Sequence, residues 1–222
     1  MSINEYYIYG TKKKLFDVND VNFAVDFKNH LKQIIKNTSK KYNEMLVLCM
    51  GTDRSTGDSF APIIGTTLSN NKKLPYKVLG TLENPIHAKN LVETLEKIDR
   101  EKTLIIAVDA CLGKIENVEK IEVFEGGLKP GSGVGKEHLP VIGDISIVGI
   151  VNCYDGVMDF LILQNTRLSI VYKLAKITSK FLHETLCEIS NVSIFDILMN
   201  YIMNFIDGLK TKLAINIRRG II

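Results

Sequence analysis

The sequence predicts an α/β protein, with helices on both faces of a mainly parallel sheet of about five strands in three layers. Short apolar runs bounded by turn residues alternate with segments of helical periodicity. The runs 45–50 and 103–108 are almost entirely apolar, as strands buried on both faces require. The 222 residues, 45% of them hydrophobic and 24% charged, are enough for one globular domain with a full core.

The first elements follow from local pattern. Residues 1–20 show little periodicity, so we expect an arm or loosely attached segment there. Apolar residues recur at helical spacing over residues 21–35, which predicts an amphipathic sheet-covering helix that ends near Asn37. Residues 45–50 predict the first core strand, and residues 60–68 predict a helix entered near Asp58 or Ser59.

The same strand–helix unit then repeats, which implies right-handed crossovers between parallel strands. The remaining predicted elements are a strand over 76–80, a helix over 86–98, strands over 103–108 and 145–151, and a long helix over 165–187. Residues 121–125 alternate between apolar and polar, which predicts a more exposed strand. We therefore divide the chain into an N-terminal arm and helix (1–40), the α/β/α domain (41–190) and a C-terminal amphipathic helix (191–222).

The C-terminal segment leaves two alternatives open. Apolar residues recur at helical spacing over more than four turns, but acidic and amide side chains interrupt them too often for a membrane span. We favour a helix packed on the domain or in a homo-oligomer. A membrane-surface helix, helped by four basic residues near the end, is the alternative.

Composition and charge exclude several classes of protein. The 28 basic and 25 acidic residues are well mixed, so nothing resembles the basic stripe of a nucleic-acid-binding surface. The N-terminus lacks the pattern of a signal peptide, and no apolar run approaches the roughly 18 residues of a transmembrane span. Four cysteines lie far apart without a Cys-x-x-Cys pair, which is typical of free thiols. We expect a cytoplasmic protein.

Two aspartates are the strongest catalytic candidates. Asp58 and Asp109 each follow a predicted buried strand, and sites in parallel sheets form beyond the carboxyl ends of strands. Two carboxylates held close cannot both ionise cheaply, so one pKa rises. The pair can then serve as general acid and general base, or as two metal ligands. Taken alone, Asp58 is equally well explained as a helix N-cap.

Two further side chains fall at the same sheet edge. His87 opens the helix after the second strand and is a candidate third metal ligand or proton carrier, although an ordinary surface histidine is the simpler interpretation. Cys111, two residues beyond Asp109, is a candidate nucleophile, but a packed, inert thiol is favoured.

The glycine-rich segment 129–136 is not a nucleotide-binding loop. The P-loop pattern needs Gly where Pro130 stands and Ser or Thr where Glu137 stands, and the dinucleotide pattern would need Gly at Lys136. Its amide groups can still bind a polypeptide backbone or a carboxylate.

Four segments together carry a family resemblance. They are Gly51–Ser59 (GTDRSTGDS), Val108–Gly113 (VDACLG), Pro130–Gly135 (PGSGVG) and Leu163–Leu168 (LQNTRL). The chain resembles the YyaC-type spore protease family over roughly residues 40–187. That family is similar to the germination protease of spore-forming bacteria and, more distantly, to the hydrogenase maturation endopeptidases. The resemblance implies a phosphorylase/hydrolase-like α/β/α fold.

The resemblance also implies roles for residues. Asp58 and Asp109 match the essential aspartates of the germination protease, and they match two metal ligands of the maturation enzymes. The third ligand, a histidine, is not assigned between His87 and His138. On the same basis the substrate would be held by two groups of residues, namely Thr52, Asp53 and Arg54, and Gly131, Ser132, Gly133 and Gly135.

The resemblance implies an endopeptidase of sporulation or germination in the forespore or sporulating cell. Its substrate would be a protein or peptide, such as small acid-soluble spore proteins, and it would need no cofactor. Two alternatives stay open: a divalent-metal-binding protein like the maturation enzymes, and a non-enzymatic spore interaction protein on the same fold.

Overall fold

A computed structural model describes residues 11–71, 74–130, 139–154 and 158–190. The chain divides into two compact units, Met1–Thr185 and Leu186–Ile222. The first unit holds the sheet. Only residues 186–190 of the second unit are described, and they are helical. The predicted helix over 191–222 and its two alternatives therefore lie outside the described residues.

The first unit is built on a mixed sheet that has six strands within the described ranges, in the order β1-β5-β6-β4-β2-β3. These strands are β1 (Thr11–Asp17), β2 (Glu44–Cys49), β3 (Lys77–Leu79), β4 (Thr103–Gly113), β5 (Lys120–Glu125) and β6 (Ile145–Cys153). The β2–β3, β2–β4 and β4–β6 pairs are parallel, and the β1–β5 and β5–β6 pairs are antiparallel. The predicted α/β class with a mainly parallel sheet is confirmed.

Helices cover both faces of this sheet. They are α1 (Phe23–Asn37), α2 (Phe60–Ser69), α3 (Leu91–Glu96), α4 (Asp159–Gln164) and α5, which begins at residue 168 and is helical through residue 185, the last of the first unit. On one face the Phe60 ring of α2 packs onto Gly149 of β6, and on the other Leu91 and Leu95 of α3 join a cluster with Leu48 of β2. Among the described helices, none is both long and apolar enough to cross a membrane.

The expected loose arm is wrong for residues 11–17, which form β1 at the edge of the sheet. Phe16 of β1 is only 4% exposed, and its ring packs edge-on against Phe23 and Phe27 of α1. The other six residues of β1 are exposed, and three of them are lysines. One buried aromatic residue in a charged edge strand leaves no periodic signal, and charged side chains are usual on such edges.

Three other elements differ from their predictions. Residues 121–125 were expected to be more exposed, but β5 lies between β1 and β6, and its Ile121 and Val123 are fully buried. The helix expected over 86–98 is limited to α3. The long helix expected over 165–187 is preceded by the separate helix α4 and begins at residue 168. Residues 165–167 interrupt the pattern at a turn that apolar spacing does not reveal.

Candidate active site

The loop after β2 closes on itself and returns Asp58 to the end of that strand. Gly51 has a φ of 151°, and a Cβ there would lie 2.0 Å from the Asp58 carbonyl oxygen. The same carbonyl accepts a hydrogen bond from the Thr52 amide at 3.2 Å. The Gly51 amide in turn donates to the carbonyl of Ile86 at 2.7 Å. Only glycine permits this close approach.

Asp58 lies in a 3₁₀ turn, Gly57–Ser59, that leads into α2. The N-cap alternative for Asp58 is wrong, because Thr56 caps the turn and Ser59 caps α2, and neither end has a side-chain cap hydrogen bond. Burial raises the pKa of Asp58. The Ser55 hydroxyl faces this carboxyl group and offsets part of the shift, although it lies outside the geometry of a full hydrogen bond.

Asp109 lies within β4 and not beyond its end as expected. The last residue pair between β2 and β4 joins Cys49 to Val108, whereas β4 continues beside β6 as far as Gly113. Asp109 is thus the first β4 residue whose β2 neighbour has turned away. The site forms where β2 has ended and β4 continues, which explains why a residue inside a strand still faces an open space.

The environment of Asp109 keeps its carboxyl group neutral. Burial raises its pKa to about 8. A hydrogen bond of 2.8 Å from the Ala110 amide to Asp109 Oδ1 opposes the shift, and the charge of Asp58 adds to it. At neutral pH Asp109 is therefore mainly protonated, and Asp58 is close enough for its charge to contribute to the raised pKa of Asp109.

A cleft of about 710 Å³ holds both aspartates. The predicted residues Thr52, Asp53, Arg54 and His87 line the same cleft, so the structure brings this part of the predicted site together. Within the loop, the Thr52 hydroxyl accepts a hydrogen bond from the Arg54 amide at 3.3 Å. Pro130 also lines the cleft. The predicted binding residues Gly131, Ser132, Gly133 and Gly135 lie outside the described residues.

The His87 ring is engaged locally at the edge of the cleft. Its Nδ1 atom accepts a hydrogen bond from the Lys89 amide at 3.3 Å, and its own amide donates to Asn90 Oδ1 at 2.9 Å. In the part of the chain that the structure describes, no three His, Cys, Asp or Glu side chains are grouped so that they could hold a metal ion. A metal at the Asp58–Asp109 pair therefore stays a hypothesis.

Sequence reasoning missed the contribution of α4 to the cleft. Phe160 and Leu163 of this helix line it, as does Cys111, which is 5% exposed beside Asp109. Leu163 belongs to a segment that carried the family resemblance, and this was the available signal. Helix α4 contacts the turn that holds Asp58, which is how Leu163 comes to line the cleft.

The fold and the cleft define an α/β protein with two aspartate side chains in one cleft, at the point where the strand β2 ends beside β4. The chain belongs to the family described as "Protein of unknown function (DUF1256)", whose model matches residues 15–181. It is 43% identical over 143 residues to the "Uncharacterized protein YyaC" of Bacillus subtilis (strain 168), which covers 64% of this chain and 69% of that protein. The predicted resemblance to the YyaC family is confirmed.

Among solved structures, the chain is similar to a [NiFe] hydrogenase maturation protease, HycI, from Thermococcus kodakarensis KOD1. The likeness covers 70% of this chain and 97% of that one, with 17% sequence identity and a TM-score of 0.43. A likeness at this level carries no information about activity.

Proposed function

We propose that the protein is an endopeptidase that uses Asp58 and Asp109 as an acid–base pair. The observation that carries this proposal is that both carboxyl groups share one cleft and have raised pKa values, that of Asp109 reaching about 8. Two titratable groups in environments that separate their pKa values are typical of acid–base catalysis. The larger shift assigns the acid role to Asp109 and the base role to Asp58.

In this mechanism the Asp58 carboxylate takes a proton from a water molecule. The oxygen of that water attacks the carbonyl carbon of the peptide bond at the same time. The protonated Asp109 donates its proton to the amide nitrogen as the C–N bond breaks. One water is consumed, and the proton has moved from Asp109 to Asp58 at the end of the cycle. Exchange with solvent or between the two carboxyl groups restores the starting state.

The substrate we propose is a protein or polypeptide of the sporulating cell, and small acid-soluble spore proteins are the first to test. Support comes from the four sequence segments shared with the YyaC family and from a cleft of a size usual for ligand sites. The forespore is the compartment in which such an enzyme would meet these proteins.

The test is cleavage of a spore-protein extract by the purified protein and by Asp58→Asn and Asp109→Asn variants. Asp99→Asn is a matched control, because Asp99 is exposed and lies outside the cleft lining. We expect each site variant to lose at least about 100-fold in rate, since general acid–base catalysis contributes roughly 10²–10⁴-fold. Equal rates for the wild type and both site variants would contradict the mechanism.

The pH profile supplies a second readout. The acid must be protonated, so kcat/KM should fall as pH rises through about 8, where Asp109 loses its proton. It should also fall at low pH as Asp58 becomes protonated, at a pH above the ordinary aspartate range because burial raises its pKa. A flat profile between pH 6 and pH 10 would argue against Asp109 as the acid.

A divalent-metal-binding function is the second candidate, favoured by the two carboxyl groups of Asp58 and Asp109 in one cleft. These two groups would hold the ion, which would polarise a bound carbonyl group or water, whereas His87 lines the same cleft but is not grouped with them as a third ligand. Elemental analysis after exposure to Zn²⁺ or Mn²⁺ tests this for the wild type and the Asp58→Ala variant. Metal bound by the wild type but not by the variant supports it, and a metal-free wild-type protein excludes it.

A further inference from the structure

Helix α4, which lines the cleft, is tied to the sheet by a buried threonine. Thr166 follows α4 and is 4% exposed. Its hydroxyl accepts a hydrogen bond from Asn152 Nδ2 of β6 at 3.2 Å and donates to the carbonyl of Ile162 in α4 at 2.7 Å. The Asn152 side chain also accepts a bond from the Cys153 amide at 2.9 Å. This chain of hydrogen bonds fixes the C-terminal end of α4 on the sheet.

The same helix rests directly on the turn that holds Asp58. A Cβ on Gly57 would lie 2.8 Å from Leu163 Cδ2 and 2.9 Å from the Leu163 carbonyl oxygen. Such distances leave no room for any side chain at Gly57. The position of α4 relative to Asp58 is therefore set by contact between their backbones, and side chains of α4 that face the cleft have a defined place beside the carboxyl pair.

Helix α4 presents two apolar side chains at the cleft, Phe160 and Leu163, beside its first residue, Asp159. Phe160 lines the cleft and is 50% exposed, and its neighbours Met158 and Leu161 are 55% and 45% exposed. Water contact with a cluster of large apolar side chains is costly, and such clusters mark binding surfaces. Leu163 lines the same cleft closer to the Asp58 turn. Phe160 and Leu163 form the surface that we call the α4 wall.

The charged side chains that line the cleft are mostly acidic: Arg54 and Lys89 are outnumbered by Asp53, Asp58, Glu83 and Asp159. They repel an acidic substrate side chain and attract a basic one, so a basic residue is the alternative to an apolar one at this site. An apolar side chain would instead gain by removing the half-exposed Phe160 ring from water.

We propose that the α4 wall is a specificity subsite that takes an apolar side chain of an extended polypeptide, next to the bond that the Asp58–Asp109 pair cleaves. This rests on the proposed peptidase function. Phe160 is the residue that determines the preference, since it is the exposed member of the wall and contributes a ring face. Leu163, packed on Gly57, is the fixed part that sets the distance to Asp58.

The first experiment measures binding without requiring cleavage. Two dye-labelled acetylated hexapeptides, Ala-Ser-Phe-Ala-Ser-Lys and the same peptide with Ser in place of Phe, are titrated into the Asp58→Asn variant and followed by fluorescence anisotropy. We expect the Phe peptide to bind at least about tenfold more tightly, as burial of one aromatic side chain allows. Adding Phe160→Ala should remove the preference. Leu168→Ala is the matched control, because Leu168 is 60% exposed and outside the cleft lining.

The second experiment measures specificity in cleavage. Peptides spanning the main cut in a spore-protein extract are made with Phe, Leu, Ser, Asp or Lys at each position flanking the cut. The wild type and the Leu168→Ala control should prefer Phe or Leu by at least about tenfold in kcat/KM at one position. Phe160→Ala should lose this preference mainly through KM. Far-ultraviolet circular dichroism and thermal unfolding confirm that the variant is folded.

The outcomes separate the two proposals. A Phe160-dependent binding preference without any cleavage supports an apolar binding site at the α4 wall but overturns the peptidase function, and with it the role of the wall in cleavage. Cleavage that needs Asp58 and Asp109 but is indifferent to Phe160 supports the function and overturns the subsite. Equal binding of the two hexapeptides, or an equal loss in the Leu168→Ala control, also overturns the subsite.

Discussion

The raised pKa of Asp109 links the stability of the protein to pH in a direction opposite to that of most carboxyl groups. Below the ordinary value of 3.8, the group is protonated in the folded and unfolded states alike, so its burial adds no ionic penalty. Between 3.8 and about 8 only the unfolded chain releases the proton. The free energy of unfolding then falls by about 1.4 kcal/mol per pH unit from this group alone.

The Asp109→Asn variant isolates this effect because asparagine is neutral at every pH. Its Oδ1 atom can still accept the 2.8 Å bond from the Ala110 amide. At pH 7 the interval of about 3 pH units above 3.8 corresponds to about 4 kcal/mol. Asp109 retains some exposed surface, so water screens part of this penalty. We expect Asp109→Asn to raise the free energy of unfolding by about 2–3 kcal/mol at pH 7.

Urea unfolding of the wild type, Asp109→Asn and the exposed control Asp99→Asn, at intervals from pH 4 to pH 9, measures the difference. The gain from Asp109→Asn should be below about 1 kcal/mol at pH 4, grow through neutral pH and level off above about pH 8. The control should follow the wild type. A gain that does not change with pH, or a variant less stable than the wild type at pH 7, would refute the assignment of a buried neutral acid.

Three further substitutions test the packing around the site. Gly51→Ala places a Cβ 2.0 Å from the Asp58 carbonyl oxygen at a φ of 151°. We therefore expect the free energy of unfolding, measured by thermal unfolding, to fall by at least about 2 kcal/mol. A fall of less than about 0.5 kcal/mol would contradict this expectation. Gly149→Ala puts a methyl group 2.7 Å from the Phe60 ring, and overpacking should cost about 1–3 kcal/mol by urea unfolding, whereas a stabilised variant would show that the ring can move aside. Tyr76→Phe removes the 2.7 Å hydrogen bond between Tyr76 and His183, and we expect the free energy of unfolding to fall by about 1 kcal/mol. Tyr42→Phe is the comparison. Equal stability of the two variants would mean that the bond adds nothing to the stability of the fold.

The core of the sheet was predictable because parallel strands carry their signal locally. The runs 45–50 and 145–151 are apolar at nearly every position since both faces of β2 and β6 are covered. The position of Asp58 followed from the rule that loops leaving the carboxyl ends of such strands meet at one edge. The same rule pointed to Asp109, although this residue lies inside β4 and faces the cleft because β2 ends beside it.

Other elements could not be predicted because their positions depend on distant partners. The strand β1 is held by one buried aromatic residue, Phe16, and by pairing with β5 more than a hundred positions later. The extension of β4 to Gly113 depends on β6 continuing where β2 stops. No local pattern reports either contact.

By itself, the sequence determined the fold class, the order of the core elements and the two aspartates that line the cleft, since hydrophobic periodicity and strand-end loops are local properties. Only the tertiary structure decided the electrostatic state of Asp109 and the part that α4 plays in the cleft. The pKa of Asp109 depends on burial by surrounding elements and on the charge of Asp58, which lies 51 positions earlier in the chain. The place of Phe160 is set by the contact of Leu163 with Gly57, and contacts between such distant residues exist only in the folded chain.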